Sequence, residues 1–155
     1  GNRFNNFAQN LTLVNLISLA NHRLKTLSER YILTKSQEDP DSLYVLDTYQ
    51  GHSIRSVATL SGGETFTLSL ALALALSDMA SRNVRIDSLF IDEGFGTLDE
   101  ETLDTAIYSL EKLQNENLKT VGVISHRSEM KERIPVQIQI DKGIEGCSKI
   151  SIVCK

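Results

Sequence analysis

The stretch Ser88-Leu-Phe-Ile-Asp-Glu-Gly-Phe-Gly-Thr-Leu-Asp99 carries most of the information about the fold of this 155-residue chain. It begins as part of a short apolar run, residues 86–91, and then places two adjacent carboxylates, Asp92 and Glu93, before a glycine-containing loop. An apolar run of this length predicts a buried strand. Ligands of open α/β sheets bind at the carboxyl ends of the strands. The stretch therefore predicts a strand with a functional acidic pair at its end.

The sequence that follows the acidic pair repeats this alternation. We expect an amphipathic helix over about 98–114, a second buried strand over 120–124 that ends in Ser125-His126, and a short helix over 127–133 stopped by Pro135. Residues 136–140 and 149–153 read as a closing hairpin around Gly143 and Gly146. Buried strands alternating with helices predict an α/β domain with a mainly parallel sheet flanked by helices, plus β-hairpins.

The first third of the chain has helical periodicity. One stripe is spaced by three and four residues, and a slightly rotated stripe precedes it. The first comprises Leu13, Ile17, Ala20, Leu24, Leu27 and Tyr31, and the second Phe4, Phe7, Leu11 and Val14. An amphipathic helix and the root of a coiled coil both fit residues 1–31. Residues 32–59 predict a β-hairpin region in which 31–33 and 43–46 are the strands and 36–42 the turn.

Leucines alternate with alanines over residues 68–76, a spacing that also fits a strand. We favour a buried helix, because Ala and Leu are strong helix formers and β-branched residues are missing from this segment. Ser61 followed by Glu64 three positions later also matches a capping box. The longest apolar run, 70–76, is too short to cross a bilayer.

Composition limits the classes of partner. The formal net charge is −4, so no overall basic field attracts nucleic acid, and a DNA contact would need a local patch or a partner. Arg127, Lys131 and Arg133 form a small basic cluster, which fits either such a patch or a solvated helix face. The two cysteines match neither a metal spacing nor a disulfide framework, and we expect free thiols, no membrane association and a cytoplasmic location.

Three sites carry candidate chemistry. The acidic pair suits Mg-nucleotide hydrolysis, with Asp92 holding Mg²⁺ through water and Glu93 acting as general base. Ser61, Gly62 and Gly63 at a helix start predict an anion site for a γ-phosphate, with Glu64 alongside. His126 can hydrogen-bond the phosphate or the attacking water. The alternatives are a polar strand end, a capped glycine turn and an ordinary surface histidine.

The order of these motifs resembles that of the ATP-binding-cassette ATPases. Leu60-Ser-Gly-Gly-Glu64 matches their signature motif, Ser88-Leu-Phe-Ile-Asp-Glu93 their Walker B, Gly96-Thr-Leu-Asp99 their D-loop and Val123-Ile-Ser-His126 their switch histidine. Glu64 stands where many transporter-type members carry Gln. The resemblance spans about residues 60–126.

A further feature narrows the resemblance. A Walker A loop needs Gly-x4-Gly-Lys-Ser/Thr, and no such string occurs in the sequence. A cassette divided in this way is similar to the SMC-like proteins and, among them, to the SbcC family of bacterial DNA-repair ATPases. Segments 3–14, 72–78, 86–90, 92–99 and 130–137 carry this finer match.

The resemblance implies a C-terminal lobe, residues 60–155, whose cofactors are ATP and Mg²⁺. Two heads would form a homodimer, with Ser61 and Gly63 acting in trans, Asp92, Glu93 and His126 in cis, and Asp99 at the dimer seam. The other implied partners are the N-terminal Walker A lobe, an SbcD-like nuclease and double-stranded DNA ends, in break repair and hairpin processing near the nucleoid. Another SMC-like head, a transporter ATPase subunit and a non-catalytic scaffold are the alternatives.

Overall fold

The computed structural model describes residues 2–36, 42–81, 86–117, 120–143 and 146–155, with the side chains of 2–6 and 116–117 outside that description. The described helices and strands alternate in the second half of the chain, as predicted. The helices are α1 (Asn2–Leu27), α2 (Gly62–Ala80), α3 (Glu100–Asn117) and α4 (Ser128–Arg133), and the strands are β1 (Tyr31–Lys35), β2 (Leu43–Asp47), β3 (Ser53–Ser56), β4 (Ser88–Asp92), β5 (Thr120–Ile124), β6 (Val136–Lys142) and β7 (Ser148–Cys154).

The predicted N-terminal helix is confirmed, but it ends at Leu27 rather than at Tyr31. Tyr31 begins β1 instead, because its backbone pairs with Asp47 of β2. Ala20, Leu24 and Leu27 of the predicted stripe are buried in the core. The rotated stripe behaves differently, since its members with described side chains are exposed: Phe7, Leu11 and Val14. Phe4 lies outside the described side chains.

The predicted hairpin is part of a larger sheet. Strands β1, β2 and β3 form an antiparallel three-stranded sheet, and most of the predicted turn, 37–41, lies outside the described residues. We did not predict β3, because Ile54 is the single strongly apolar residue in its four positions. A short 3₁₀ turn, Val57–Thr59, leads from β3 to α2.

Helix α2 begins where the capping box predicted. The Ser61 hydroxyl accepts from the Glu64 amide, and the Glu64 carboxylate accepts from the Ser61 amide. The helix packs against α1, and its Leu70 and Leu74 are buried together with Leu24 in the main core. Leu76 is 53% exposed, so the burial expected around most of α2 does not extend to that face.

The α/β class holds, although parallel pairing among the described strands is confined to β4 and β5. Their register runs from Ser88 opposite Thr120 to Asp92 opposite Ile124. The other five described strands lie in antiparallel sheets, so the expectation of a mainly parallel sheet is wrong for this lobe. Full burial of the parallel strands is also wrong, since Phe90 is 71% and Ile124 54% exposed.

The closing hairpin of β6 and β7 is confirmed, with Val136 opposite Cys154 and Lys142 opposite Ser148. Among the described stretches, no helix combines the length and the apolar character that crossing a bilayer requires.

Candidate functional site

Glu93 and His126 meet at the carboxyl ends of the two parallel strands. The Glu93 amide donates to the Ile124 carbonyl at 2.9 Å, which continues the β4–β5 pairing by one residue. Beyond it, His126 Nδ1 lies 3.0 Å from Oε1 of Glu93. Because β5 follows β4 in register, the two strand ends bring together residues that lie 33 positions apart in the sequence. The predicted convergence of the acidic pair and the histidine is thus present in the fold.

Asp92 is the last residue of β4 and is exposed beside this pair. Within the described ranges no group of three or more His, Cys, Asp or Glu side chains could hold a metal ion by itself. That donor set still suits Mg²⁺, which keeps several waters and uses one or two carboxylates together with substrate phosphates. Asp92 is therefore placed to be one ligand of a shared magnesium site.

The chain turns sharply after Asp92. Glu93 adopts φ of 58° and Gly94 φ of 92°, both in the left-handed region. Such a conformation is uncommon for a residue with a side chain and concentrates at functional sites. A Cβ at Gly94 would lie 2.5 Å from the Phe66 ring, so this position accepts only glycine without rearrangement. The bend directs residues 95–99 onto the beginning of α2.

Residues 95–99 pack against the predicted anion-binding helix start. The rings of Phe66 and Phe95 lie 4.8 Å apart, and Phe95 is fully buried. A Cβ on Gly62 would lie 3.3 Å from the Thr97 side chain, and one on Gly63 would lie 3.3 Å from the Thr97 carbonyl oxygen. The two glycines thus permit a close approach of the loop to the helix. Ser61, the N-cap, remains exposed.

Glu64 is committed to contacts within the chain. Its Oε1 accepts from the Tyr31 hydroxyl at 2.5 Å and from Arg30 Nη1 at 3.1 Å, and its Oε2 accepts from the Ser61 amide at 2.8 Å. The Tyr31 hydrogen bond, above all, lowers the pKa of Glu64, while burial raises the pKa of Tyr31 to about 12. These contacts orient Ser61. Direct nucleotide binding by Glu64 stays a prediction.

Arg30 also binds a buried carboxylate that the sequence did not reveal as part of the site. Asp47 is fully buried, and it accepts two hydrogen bonds from Arg30 and one from Arg55 at 3.2 Å. The signal was an acidic residue inside an apolar strand, but its partners are distant in the sequence. Asp47 and Arg30 therefore support the network that positions the start of α2.

Asp99 caps α3 and is exposed. Its carboxylate accepts from the Thr102 amide at 2.9 Å and from the Thr102 hydroxyl at 2.8 Å. The Thr102 amide is the main cause that lowers the pKa of Asp99. An exposed, ionised Asp99 fits the predicted place at a dimer seam, and that place stays a prediction.

The predicted basic cluster is mostly engaged within the fold. Arg127 Nη1 donates to the Phe95 carbonyl at 2.7 Å and to the Leu98 carbonyl at 3.0 Å. Arg133 pairs with Asp104 and lies 3.6 Å from Glu100. The interpretation as a solvated helix face is wrong for these two arginines, because their side chains bind residues well upstream in the chain. The alternative of a DNA contact stays untested.

Comparison with known proteins places these residues in a family. Residues 41–112 match the family described as "SbcC/RAD50-like, Walker B motif", a range that contains Ser61 and Glu93. Two curated relatives are named as the SbcC component of the nuclease SbcCD. The relative from Pseudomonas aeruginosa is 48% identical over 153 residues, covering 99% of this chain and 12% of its own length. The relative from Rhodobacter capsulatus is 45% identical over 152 residues, covering 98% and 12%. The chain thus spans only 12% of the length of these relatives.

The fold matches head domains of SMC proteins. An SMC ATPase structure described for "ATP-driven dimerization and DNA stimulated activation" aligns with a TM-score of 0.73 at 18% identity, over 96% of this chain and 88% of that one. The SMC head bound to the C-terminal domain of ScpA from Pyrococcus furiosus aligns with a TM-score of 0.64 at 18% identity, over 92% and 35%. Taken together with the strand-end pair and the glycine helix start, these similarities show that the chain belongs to the SbcC/RAD50-like family and corresponds to the C-terminal lobe of its ATPase head.

Proposed function

We propose that this chain is the catalytic lobe of an ATP-hydrolysing head that works in a nuclease complex on DNA ends. The observation that carries the proposal is the 3.0 Å contact between Glu93 and His126 at the ends of adjacent parallel strands. A carboxylate and an imidazole held at the edge where α/β folds bind ligands suit the activation of a water molecule.

Glu93 is the proposed general base. Its carboxylate is 56% exposed, so a water molecule can reach it, and the left-handed backbone fixes the direction of the side chain. His126 Nδ1 donates a proton to this carboxylate when the proton resides on that nitrogen. The opposite nitrogen, Nε2, then accepts a hydrogen bond in the neutral ring and donates one in the protonated ring. The ring can therefore contact either the attacking water or a phosphate.

ATP and Mg²⁺ are the proposed cofactors. When bound, the metal ion would neutralise developing charge on the phosphates. Asp92 would hold it, and the remaining protein contacts would come from a Walker A lobe, because the phosphate-cradling motif does not occur in this sequence. We expect the 155-residue chain alone to hydrolyse no ATP, and addition of the matching N-terminal lobe to restore hydrolysis.

The exposed start of α2 is the proposed trans-acting element. Ser61, Gly62 and Gly63 lie at the N-terminus of a 19-residue helix whose first amides attract anions. In a homodimer, this helix start would bind the γ-phosphate held by the other head, with Asp99 beside the seam. The ATP-driven dimerisation of the SMC ATPase that shares this fold supports that arrangement.

The exposed apolar faces support an N-terminal lobe as a partner. One face of the β6–β7 hairpin is apolar and exposed, through Val136, Ile138, Ile140, Ile150 and Ile152. Phe90 and Ile124 extend the uncovered apolar surface to the β4–β5 pair. Faces of this size are uncommon on the surface of a finished domain. The lobe that carries Walker A is the proposed cover.

The names of the relatives support the remaining partners. Proteins 48% and 45% identical to this chain are named as components of the SbcCD nuclease. We infer an SbcD-like nuclease partner, double-stranded DNA ends as the substrate of the complex, and a role in break repair near the bacterial nucleoid. The same names favour this reading over a transporter ATPase, which would also be expected to carry a Walker A motif upstream of residue 60.

The test replaces the proposed base in the full-length protein together with its nuclease partner. Glu93→Gln keeps the size of the side chain, so ATP-dependent head dimerisation should persist while ATP turnover falls by at least about 10²-fold. Glu111→Gln, an exposed change on α3, is the matched control and should keep full turnover. Undiminished hydrolysis by Glu93→Gln would remove Glu93 from the role of base.

A further inference from the structure

Arg127 connects two parts of the lobe that the proposed function uses separately. It follows His126 directly, yet its side chain reaches back to the loop after β4. One nitrogen, Nη1, donates to the carbonyls of Phe95 and Leu98, which bracket a 3₁₀ turn, Phe95–Thr97. The Arg127 side chain is only 17% exposed. The guanidinium therefore holds both ends of the turn to the segment that carries the histidine.

The 3₁₀ turn is packed against the start of α2 on its other side. Phe95 stacks at an angle on Phe66, and Thr97 contacts Gly62 and Gly63 closely. A displacement of the turn would consequently disturb the helix start that exposes Ser61. Arg127 thus completes a line of contacts from Ser61 and its glycines, through residues 95–98, to His126 and Glu93.

Other contacts hold Arg127 in this position. Its amide donates to the Ser125 hydroxyl at 3.2 Å, and its second terminal nitrogen, Nη2, lies 3.1 Å from Glu129 Oε1. The arginine also lowers the pKa of Glu129 to about 2, so Glu129 is ionised at neutral pH. A rigid planar guanidinium with five donors can serve the two carbonyls and the carboxylate together, whereas a lysine ammonium on a flexible stem fixes that geometry less well.

We propose that Arg127 is a positioning residue that clamps the 95–98 turn to the switch segment, so that the helix start acting in trans and the Glu93–His126 pair acting in cis adopt their working geometry together. This inference rests on the proposed function for its catalytic consequence, and on the geometry alone for the clamp. Arg127 touches backbone carbonyls and Glu129, and it acts on the reaction through them.

The test uses the full-length protein with its nuclease partner and three variants. Arg127→Met removes the donors and keeps most of the stem, Arg127→Lys keeps the charge, and Lys131→Met makes the same charge change at an exposed position of α4. In Arg127→Met, amide exchange at Leu98, which donates to Phe95 in the turn, should accelerate about tenfold. The kcat for ATP should fall about tenfold, while Tm stays close to that of Lys131→Met.

Arg127→Lys should recover part of both losses, and it replaces Arg127→Met if that variant does not fold. The effect of Arg127→Met on kcat should also shrink in an Asp99→Ala background, because both changes act on the same loop. Unchanged exchange at Leu98, faster exchange with undiminished turnover, or full additivity with Asp99→Ala would overturn the proposal. If the parent protein hydrolyses no ATP, the proposed function fails, and exchange at Leu98 alone decides whether the clamp exists.

Discussion

Arg30 and Asp47 form a two-point ion pair inside the lobe. Arg30 Nε lies 3.0 Å from Oδ1 of Asp47, and Nη2 lies 2.8 Å from Oδ2. Asp47 has no solvent exposure, and the Arg30 hydrogen bonds are the main cause that lowers its pKa to about 2. Because Arg30 also donates to Glu64, the pair lies at one end of a chain of contacts that reaches Ser61.

Replacement of Asp47 by Asn should destabilise the lobe strongly at neutral pH. The variant keeps the shape of the side chain but leaves Arg30 and Arg55 without a buried counter-charge. Loss of one partner of a buried ion pair is among the most damaging single changes, and we expect Tm to fall by about 10 °C. Thermal unfolding of both proteins measures this. Asp78→Asn is the control, since its ion pair with Arg23 is partly exposed, and it should lower Tm far less.

The same pair predicts how stability depends on pH. The folded-state pKa of Asp47 lies below its ordinary value of 3.8, so its contribution is complete above about pH 4 and is lost as the pH falls through about 2. The Tm difference between the parent and Asp47→Asn should therefore be constant from about pH 7 to about pH 5 and should shrink between about pH 4 and about pH 2. A difference that stays constant over the whole range would contradict this assignment.

Gly94 predicts a second large effect on stability. Alanine there would have to keep a left-handed backbone and would place its Cβ 2.5 Å from the Phe66 ring. We expect Gly94→Ala to cost about 2–3 kcal/mol in the free energy of unfolding. Gly96→Ala is the matched control, because an added Cβ there meets nothing within 4 Å, and it should change stability by less than about 0.5 kcal/mol. Phe66→Leu combined with Gly94→Ala should recover part of the loss.

Local patterns in the sequence predicted most of the elements and the pair at the strand ends. The Ser61 capping box, the apolar run before Asp92 and the periodicity of residues 13–27 each depend on near neighbours, and each is confirmed. Glu93 and His126 could be paired in advance because parallel strands end at one edge of a sheet.

Features set by distant contacts could not be read in this way. Strand β3 is held by pairing with β2, although its own sequence is weakly apolar. The partners of Asp47 and Arg127 are chosen by packing, and nothing in the spacing of the residues specifies them. The exposure of Phe90 was also unforeseen, since an apolar strand reads as buried whether its cover lies in the same lobe or in another.

The apolar face of the β6–β7 hairpin predicts a lobe–lobe interface. Ile138→Glu would place a charge in the centre of that face, opposite Ile152. Burial of an unpaired carboxylate is costly, so co-purification of this chain with a co-expressed N-terminal lobe should fall about tenfold or more. Gln139→Glu adds the same charge at the next position, on the opposite face of the strand, and should leave the yield unchanged. Equal losses in both variants would argue against this face as the interface.

Ser61 permits a test that separates helix capping from action in trans. Aspartate caps helices about as well as serine, so Ser61→Asp should keep Tm within about 2 °C of the parent. The same carboxylate would face the triphosphate proposed to dock on this helix start, and repulsion between the two should abolish ATP-dependent dimerisation of the full-length protein. Ser61→Ala should show the reverse pattern, with a helix weakened by about 1 kcal/mol and dimerisation only partly reduced. Light scattering with and without ATP distinguishes the two variants. Normal dimerisation of Ser61→Asp would mean that no phosphate approaches Ser61, and the trans-acting role of α2 would then be wrong even if Glu93 proved to be the catalytic base.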